Sequence, residues 1–258
     1  MFIDTHTHFY SEEFDEDREE CIKRANALGV SHFILPAIDS ESIEAMERMH
    51  QQYPNKTSLM AGLHPVYVKP ETYKQELEIV ARQLKNNPQK YVAVGEIGID
   101  LHWDKTTLDI QKEAFRTQIR WAKEYNLPIV IHCRKGFDEV FQVLEEEVNT
   151  IEGVFHCFGG TLDQANRAIR LGMKLGIGGV VTFKNAKLAM VVQQLPLDVL
   201  VLETDAPYLA PVPYRGKRNE SSYIPHIAEK IAELHNCSVQ KVAEVTTRTA
   251  KEVFKLSI

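Results

Sequence analysis

Apolar positions along this chain come in short runs separated by longer amphipathic stretches. Runs rich in β-branched and aromatic residues at 1–6, 32–37, 58–64, 91–96, 128–132, 153–157, 173–178 and 199–204 read as strands. Between them Phe137, Val140, Phe141, Leu144 and Val148 recur every three or four residues, as do Leu77, Val80, Ala81 and Leu84. That is the rhythm of a helix with one buried face. A further helix is expected over 12–28, stopped by Gly29, and another ends near Leu171 before Gly172. The strand ends recur at intervals of about 28 residues, room for a strand, a helix and two loops. Eight such units predict a parallel α/β sheet closed into a single (β/α)8 barrel domain spanning 1–258. An open doubly wound sheet would place a glycine-rich phosphate loop after its first strand. Here that turn reads Asp4-Thr5-His6-Thr7-His8, without a glycine.

Barrels of this kind build their sites at the C-terminal ends of the strands. The first strand ends with Asp4, His6 and His8, the third at His64, the fourth at Glu96 and the fifth at His132 and Arg134. The sixth ends at His156 and the eighth at Glu203 and Asp205. His6 and His8, two apart, point to one face of an extended chain. A gathering of imidazoles and carboxylates suits a divalent transition metal with a position left open for water. In Val92-x-Val94-x-Glu96 and Val130-x-His132-x-Arg134, alternation puts packed layers below and a polar group on top. Cys133 and Cys157 each follow a candidate histidine, so they are expected to point the other way and pack. Gly176, Gly178 and Gly179 are expected to let a substrate approach the seventh strand. His32, His50, His226 and His235 fall in strand starts or helices and read as ordinary; His102 follows the fourth strand and is left open.

Composition narrows the choice of partners. The chain has 258 residues, 44% hydrophobic and 26% charged, which excludes disorder, collagen and coiled coil as overall descriptions. A formal net charge of -6 argues against coating nucleic acid or an anionic membrane by bulk charge, so any polyanion must be held locally. No apolar run approaches the roughly 20 residues that span a bilayer. The N-terminus lacks a basic segment followed by an apolar one, and chemistry beginning at Asp4 leaves no room for a leader. Four scattered cysteines without a CxxC pair indicate reduced thiols and a cytoplasmic protein.

Six segments in this order carry a resemblance. They are Asp4-Thr-His6-Thr-His8, Gly62-Leu-His64-Pro65, Gly95-Glu96-Ile-Gly98-Ile-Asp100, Ile131-His132-Cys-Arg134, Phe155-His156-Cys157-Phe158-x-Gly160 and Leu202-Glu203-Thr204-Asp205-x-Pro207-Tyr208-Leu209. Across the whole chain the sequence resembles the TatD-like metal-dependent hydrolases, TatD-type deoxyribonucleases of the amidohydrolase barrel superfamily. The resemblance implies two divalent cations (Mg2+, Mn2+ or Zn2+), one held by His6, His8 and Asp205, the other by His132 and His156. Glu96 would bridge them where other barrels of the superfamily use a carbamylated lysine. It also implies a loop after the eighth strand, here 213–220, followed by Ser221 where the family more often has proline. The activity implied is 3′-to-5′ exonucleolytic hydrolysis of single-stranded or frayed DNA.

On that reading Asp205 is both ligand and proton acceptor, and Glu203 orients a ligand. His64 and Arg134 contact the phosphate, with His64 alternatively assisting the leaving group. Arg215, Lys217 and Arg218 would rim the mouth, with Tyr214 and Asn219 of the same loop touching substrate and Tyr208, Tyr214 and Tyr223 stacking bases. DNA is the expected partner, with no membrane and no obligate protein partner. The rivals are a metal-dependent ester or amide hydrolase on the same barrel, such as a D-aminoacyl-tRNA deacylase, and a metal- or nucleic-acid-binding protein without turnover.

Overall fold

A computed structural model describes residues 1–147 and 151–258; the expected helical position Val148 lies outside them. The strands are β1 (Phe2–Asp4), β2 (Val30–Pro36), β3 (Thr57–Ala61), β4 (Tyr91–Asp100), β5 (Ile129–Arg134), β6 (Gly153–Phe155), β7 (Met173–Ile177) and β8 (Leu200–Leu202). The helices are α1 (Arg18–Ala27), α2 (Ser40–Gln52), α3 (Tyr73–Asn86), α4 (Leu108–Glu124), α5 (Phe137–Glu147), α6 (Leu162–Arg170), α7 (Leu188–Val192), α8 (Ile224–His235) and α9 (Val239–Phe254). All eight strands pair in sequence order and in parallel, as the βα alternation predicts. The helix expected over 12–28 begins later. A 3-10 turn at Glu12–Phe14 precedes it, and α1 starts only at Arg18.

Closure between β1 and β8 runs past the ends of both short strands. Thr5 donates its backbone N–H to the Leu202 carbonyl at 3.0 Å, Asp205 to His6 at 2.9 Å and His8 to Ala206 at 2.8 Å. Asp4 staples the same seam. Its buried carboxylate accepts from the Thr204 backbone N–H (3.0 Å), the Thr204 hydroxyl (2.6 Å) and the Ser221 hydroxyl (2.5 Å). Burial, only partly offset by these bonds, pushes the Asp4 carboxyl up to about 7.

Two apolar layers hold the barrel. Ile3, Ile34, Met60, Ala93, Val130, Val154 and Val201 fill the interior, and Ala250, Val253 and Phe254 of α9 belong to the same cluster. A larger cluster packs the outer faces of the strands against the helices. From Val130, two residues along β5 lead to His132, so period-two alternation carries that side chain to the inner side above the core, whereas His64, His156, Glu203 and Asp205 lie just past the ends of β3, β6 and β8. The expected pattern fails in β4. Ala93 joins the interior and Val94 the outer cluster, and a register shift between Val94 and Ile97 rephases the strand before Glu96.

Candidate metal centre

Glu96 is the hub. Its carboxylate is 2% exposed and lies 2.7 Å from His132 Nδ1, 3.1 Å from His6 Nε2 and 3.3 Å from both His64 Nε2 and His156 Nε2. Asp205 Oδ1 is 3.6 Å from His8 Nε2 and 3.9 Å from His6 Nε2. The six expected ligands therefore converge from five separate strand ends, and the sets His6–His8–Glu96, His6–His156–Asp205 and His64–Glu96–His132 each lie close enough to hold one ion. Burial would raise the Glu96 carboxyl, but the imidazoles of His156, His64 and His6 hold it well below the usual carboxylate range. Asp205 is likewise lowered against its burial by His156 and His8.

Hydrogen bonds behind His8 and His132, and a carboxylate beside His156, decide which nitrogen of each faces the centre. Tyr10 donates its only hydroxyl proton to the Pro36 carbonyl (2.7 Å), so its oxygen accepts from His8 Nδ1 at 2.8 Å. That leaves the lone pair of His8 on Nε2, toward Asp205. Asp100 accepts from His132 Nε2 at 2.9 Å, and Glu203 places an oxygen 3.2 Å from His156 Nδ1. Each carboxylate favours a proton on the outer nitrogen and a lone pair on the inner one. Burial alone would lower His132 and His156, but their carboxylate neighbours raise both. His6 is wholly buried, and neither of its ring nitrogens makes a hydrogen bond. Its Nε2 thus faces Glu96 across 3.1 Å without bonding it, the arrangement of two donors aimed at a shared guest. The residues fit divalent cations.

His64 differs. Its Nδ1 accepts from the Val66 backbone N–H at 3.1 Å, so the proton sits on Nε2 and points at Glu96 and His132. Burial lowers its pKa and keeps it neutral. It offers the centre a hydrogen, not a lone pair.

Left-handed backbone recurs at this rim. Lys135 (φ 58), Cys157 (φ 45) and Asp205 (φ 55) are non-glycine residues in that region, and such strain concentrates where function demands it. Cys157 lies beyond the end of β6, so strand alternation does not govern it. It does not join the core as expected, its backbone N–H bonds Glu203 at 2.5 Å, and burial beside these charges pushes its thiol up. Cys133 does pack against the core.

Several expectations about substrate contact need correction. Asn219 is wholly buried, and its amide nitrogen donates to the carbonyls of Thr204 (2.8 Å) and Tyr208 (2.6 Å). It holds the 213–220 loop to the barrel instead of touching substrate. Arg218 is tied to Asp17 at 2.7 and 2.8 Å, which spends its charge. Arg215 is exposed, with its guanidinium 4.5 Å from the Phe183 ring, and Tyr214 stacks face to face on Tyr223 at 4.1 Å. Tyr208 is free, 55% exposed and 6.2 Å from His8. The glycines near β7 serve the protein itself: a Cβ on Gly176 would meet Glu203 Oε2 at 2.2 Å, and one on Gly179 would meet the Leu209 carbonyl oxygen at 2.2 Å. The orienting partners Asp100 and Tyr10 were missed. Asp100 lay within a recognised segment, and a carboxylate one strand across from a candidate ligand was the available signal.

Comparison with known proteins agrees with this geometry. The family described as "TatD related DNase" matches residues 3–255. An uncharacterized metal-dependent hydrolase, YabD of Bacillus subtilis, is 42% identical over 259 residues, covering 100% of both chains. A protein named 3'-5' ssDNA/RNA exonuclease TatD, from Rahnella sp., is 33% identical over 96% of this chain and 95% of its own. The crystal structure of YjjV, a TatD homologue from Escherichia coli, superposes with a TM-score of 0.92 at 32% identity, covering 99% of this chain and 98% of that one. Barrel, buried donor cluster and relatives together define a metal-dependent hydrolase. The chain belongs to the TatD family. Among the described residues, no helix is long and apolar enough to cross a membrane.

Proposed function

We propose that this protein hydrolyses phosphodiester bonds at the 3′ ends of single-stranded or frayed DNA, using two divalent cations. The observation that carries the reading is the Glu96 carboxylate ringed by the imidazoles of His6, His64, His132 and His156 within 2.7–3.3 Å. His6, His8 and Asp205 would hold one cation, His132 and His156 the other, with Glu96 between them. Bound there, the cations would supply positive charge to the phosphoryl oxygens and acidify a water. Asp205, the most open carboxylate of the cluster, takes the proton of the attacking water. His64 Nε2–H donates to a phosphoryl oxygen or to the departing sugar oxygen. Glu203 and Asp100 keep His156 and His132 turned inward. Arg134, exposed at the end of β5, and Arg215, exposed in the 213–220 loop, contact the phosphates of the strand. The relative named as a single-strand exonuclease supports the substrate class.

The tethering of Arg218 to Asp17 leaves less free positive charge at the mouth than a polyanion substrate would favour, which keeps ester or amide hydrolysis as the second reading. Purified protein reconstituted with Mg2+, Mn2+ or Zn2+ decides between them. End-labelled single-stranded DNA is expected to shorten from its 3′ end, while aminoacyl and amide substrates persist. Turnover of the latter alone would replace the proposal. Glu96→Ala is expected to lose metal and turnover together; bound metal without turnover in the parent protein would favour a binding role.

A further inference from the structure

The loop after β4 carries an aromatic group that neither the core nor the metal centre uses. Trp103 is 69% exposed, more than any other large hydrophobic residue among those described, and belongs to neither apolar cluster. Single exposed hydrophobic residues are ordinary, so exposure alone says little. Three further observations set this one apart. The Arg134 guanidinium lies 5.6 Å from the indole centroid, and the His102 ring meets it edge-on at 4.9 Å. The loop is anchored, since Asp100 Oδ1 accepts from the backbone N–H groups of His102 (2.8 Å) and Trp103 (3.2 Å). The other oxygen of that carboxylate holds His132, which reaches Glu96 at 2.7 Å. The indole therefore hangs from the group that orients a candidate ligand.

We propose that Trp103, backed by Arg134, is a stacking platform for a nucleobase of the strand being cleaved. The inference rests on the nuclease reading above. An aromatic plane with a cation beside it suits any base, because stacking uses the ring face and needs no edge recognition. Arg134 and the neighbouring exposed Lys135 supply charge complementary to the phosphate that accompanies each base. Tyr67, 39% exposed and 6.1 Å from His64, and Tyr208, 55% exposed beside His8, place aromatic rings on other strand-end loops around the same imidazoles. Trp103 is a substrate contact and takes no part in the chemistry.

The test uses the metal-reconstituted full chain with two oligonucleotides of equal length, one normal and one abasic throughout. Stacking worth about 1–3 kcal/mol predicts that Trp103→Ala raises KM for the normal strand roughly 5- to 150-fold with kcat little changed. The same variant leaves the abasic strand unaffected, and Trp103→Phe restores most of the affinity. With the metals in place, a phosphorothioate strand that resists cleavage quenches tryptophan fluorescence; Trp121, the other tryptophan, packs from α4 against the core, so the quench vanishes in Trp103→Ala. A parent protein that cleaves the normal strand, with a Trp103→Ala variant of unchanged KM, overturns this inference alone. A parent that neither binds nor cleaves the strand overturns the nuclease reading and this inference with it.

Discussion

Asp100→Asn isolates the part played by hydrogen-bond direction at the metal centre. Asp100 is 2% exposed, and its backbone is clasped by Gln111, which accepts from the Asp100 N–H at 2.9 Å and donates to its carbonyl at 3.1 Å. Asparagine keeps the shape, and its oxygen still accepts from His102 and Trp103, so fold and loop persist. What changes is the atom 2.9 Å from His132 Nε2. A carboxylate, here held down to about 2 against its burial chiefly by His132, accepts a proton from that nitrogen. An amide NH2 donates instead. His132 then moves its proton to Nδ1, the nitrogen 2.7 Å from Glu96, and loses the inward lone pair. Orienting partners of metal-bound histidines are typically worth 10- to 100-fold in affinity, about 1.4–2.7 kcal/mol. Titration calorimetry with Mn2+ on metal-free parent and variant reads this directly, and 15N chemical shifts of the His132 ring report its tautomer. Equal affinities, or a weakened affinity with the proton still on Nε2, would refute the reasoning.

Metal removal by chelation is expected to abolish turnover, and re-addition at 100 times Kd should restore it while stabilising the fold by about 2.7 kcal/mol per site; a melting temperature indifferent to metal would contradict the site. His32, buried at the start of β2 and bonded to Ser58 at 2.8 Å, is lowered to about 4 by burial, helped by His50 and Lys251. Its folded pKa lies below the unfolded value near 6.5, so the unfolded chain takes the proton first and stability falls as pH drops from 6.5 toward 4. Urea melts should show His32→Gln losing about 2 kcal/mol less than the parent between pH 7.5 and 5; parallel pH profiles would sink the assignment. Gly98 has φ 142, and a Cβ there would meet the His132 carbonyl oxygen at 2.1 Å, so Gly98→Ala should cost about 2–6 kcal/mol and displace His132. A variant as stable and active as the parent would show that β4 and β5 can part without consequence.

The barrel and the membership of its donor cluster were readable from local pattern. Strand alternation has period two and depends only on near neighbours, so the step from Val130 to His132 by itself puts the histidine on the inner side. The rephasing of β4 was not readable. The shift between Val94 and Ile97 exists only relative to the register of β5, and no local pattern announces it. The same holds for direction and partnership. Which nitrogen of His8 or His132 faces inward depends on Tyr10 bonding Pro36 and on Asp100 crossing to β5. Asn219 and Arg218 look like loop residues open to a ligand until Thr204, Tyr208 and Asp17 take up their donors. A linear pattern records which chemical groups are present and the side of a strand on which each falls. Buried donors and acceptors find their partners only when distant segments meet, so the assignment of every proton, and of each loop side chain to structure or to substrate, belongs to the folded barrel.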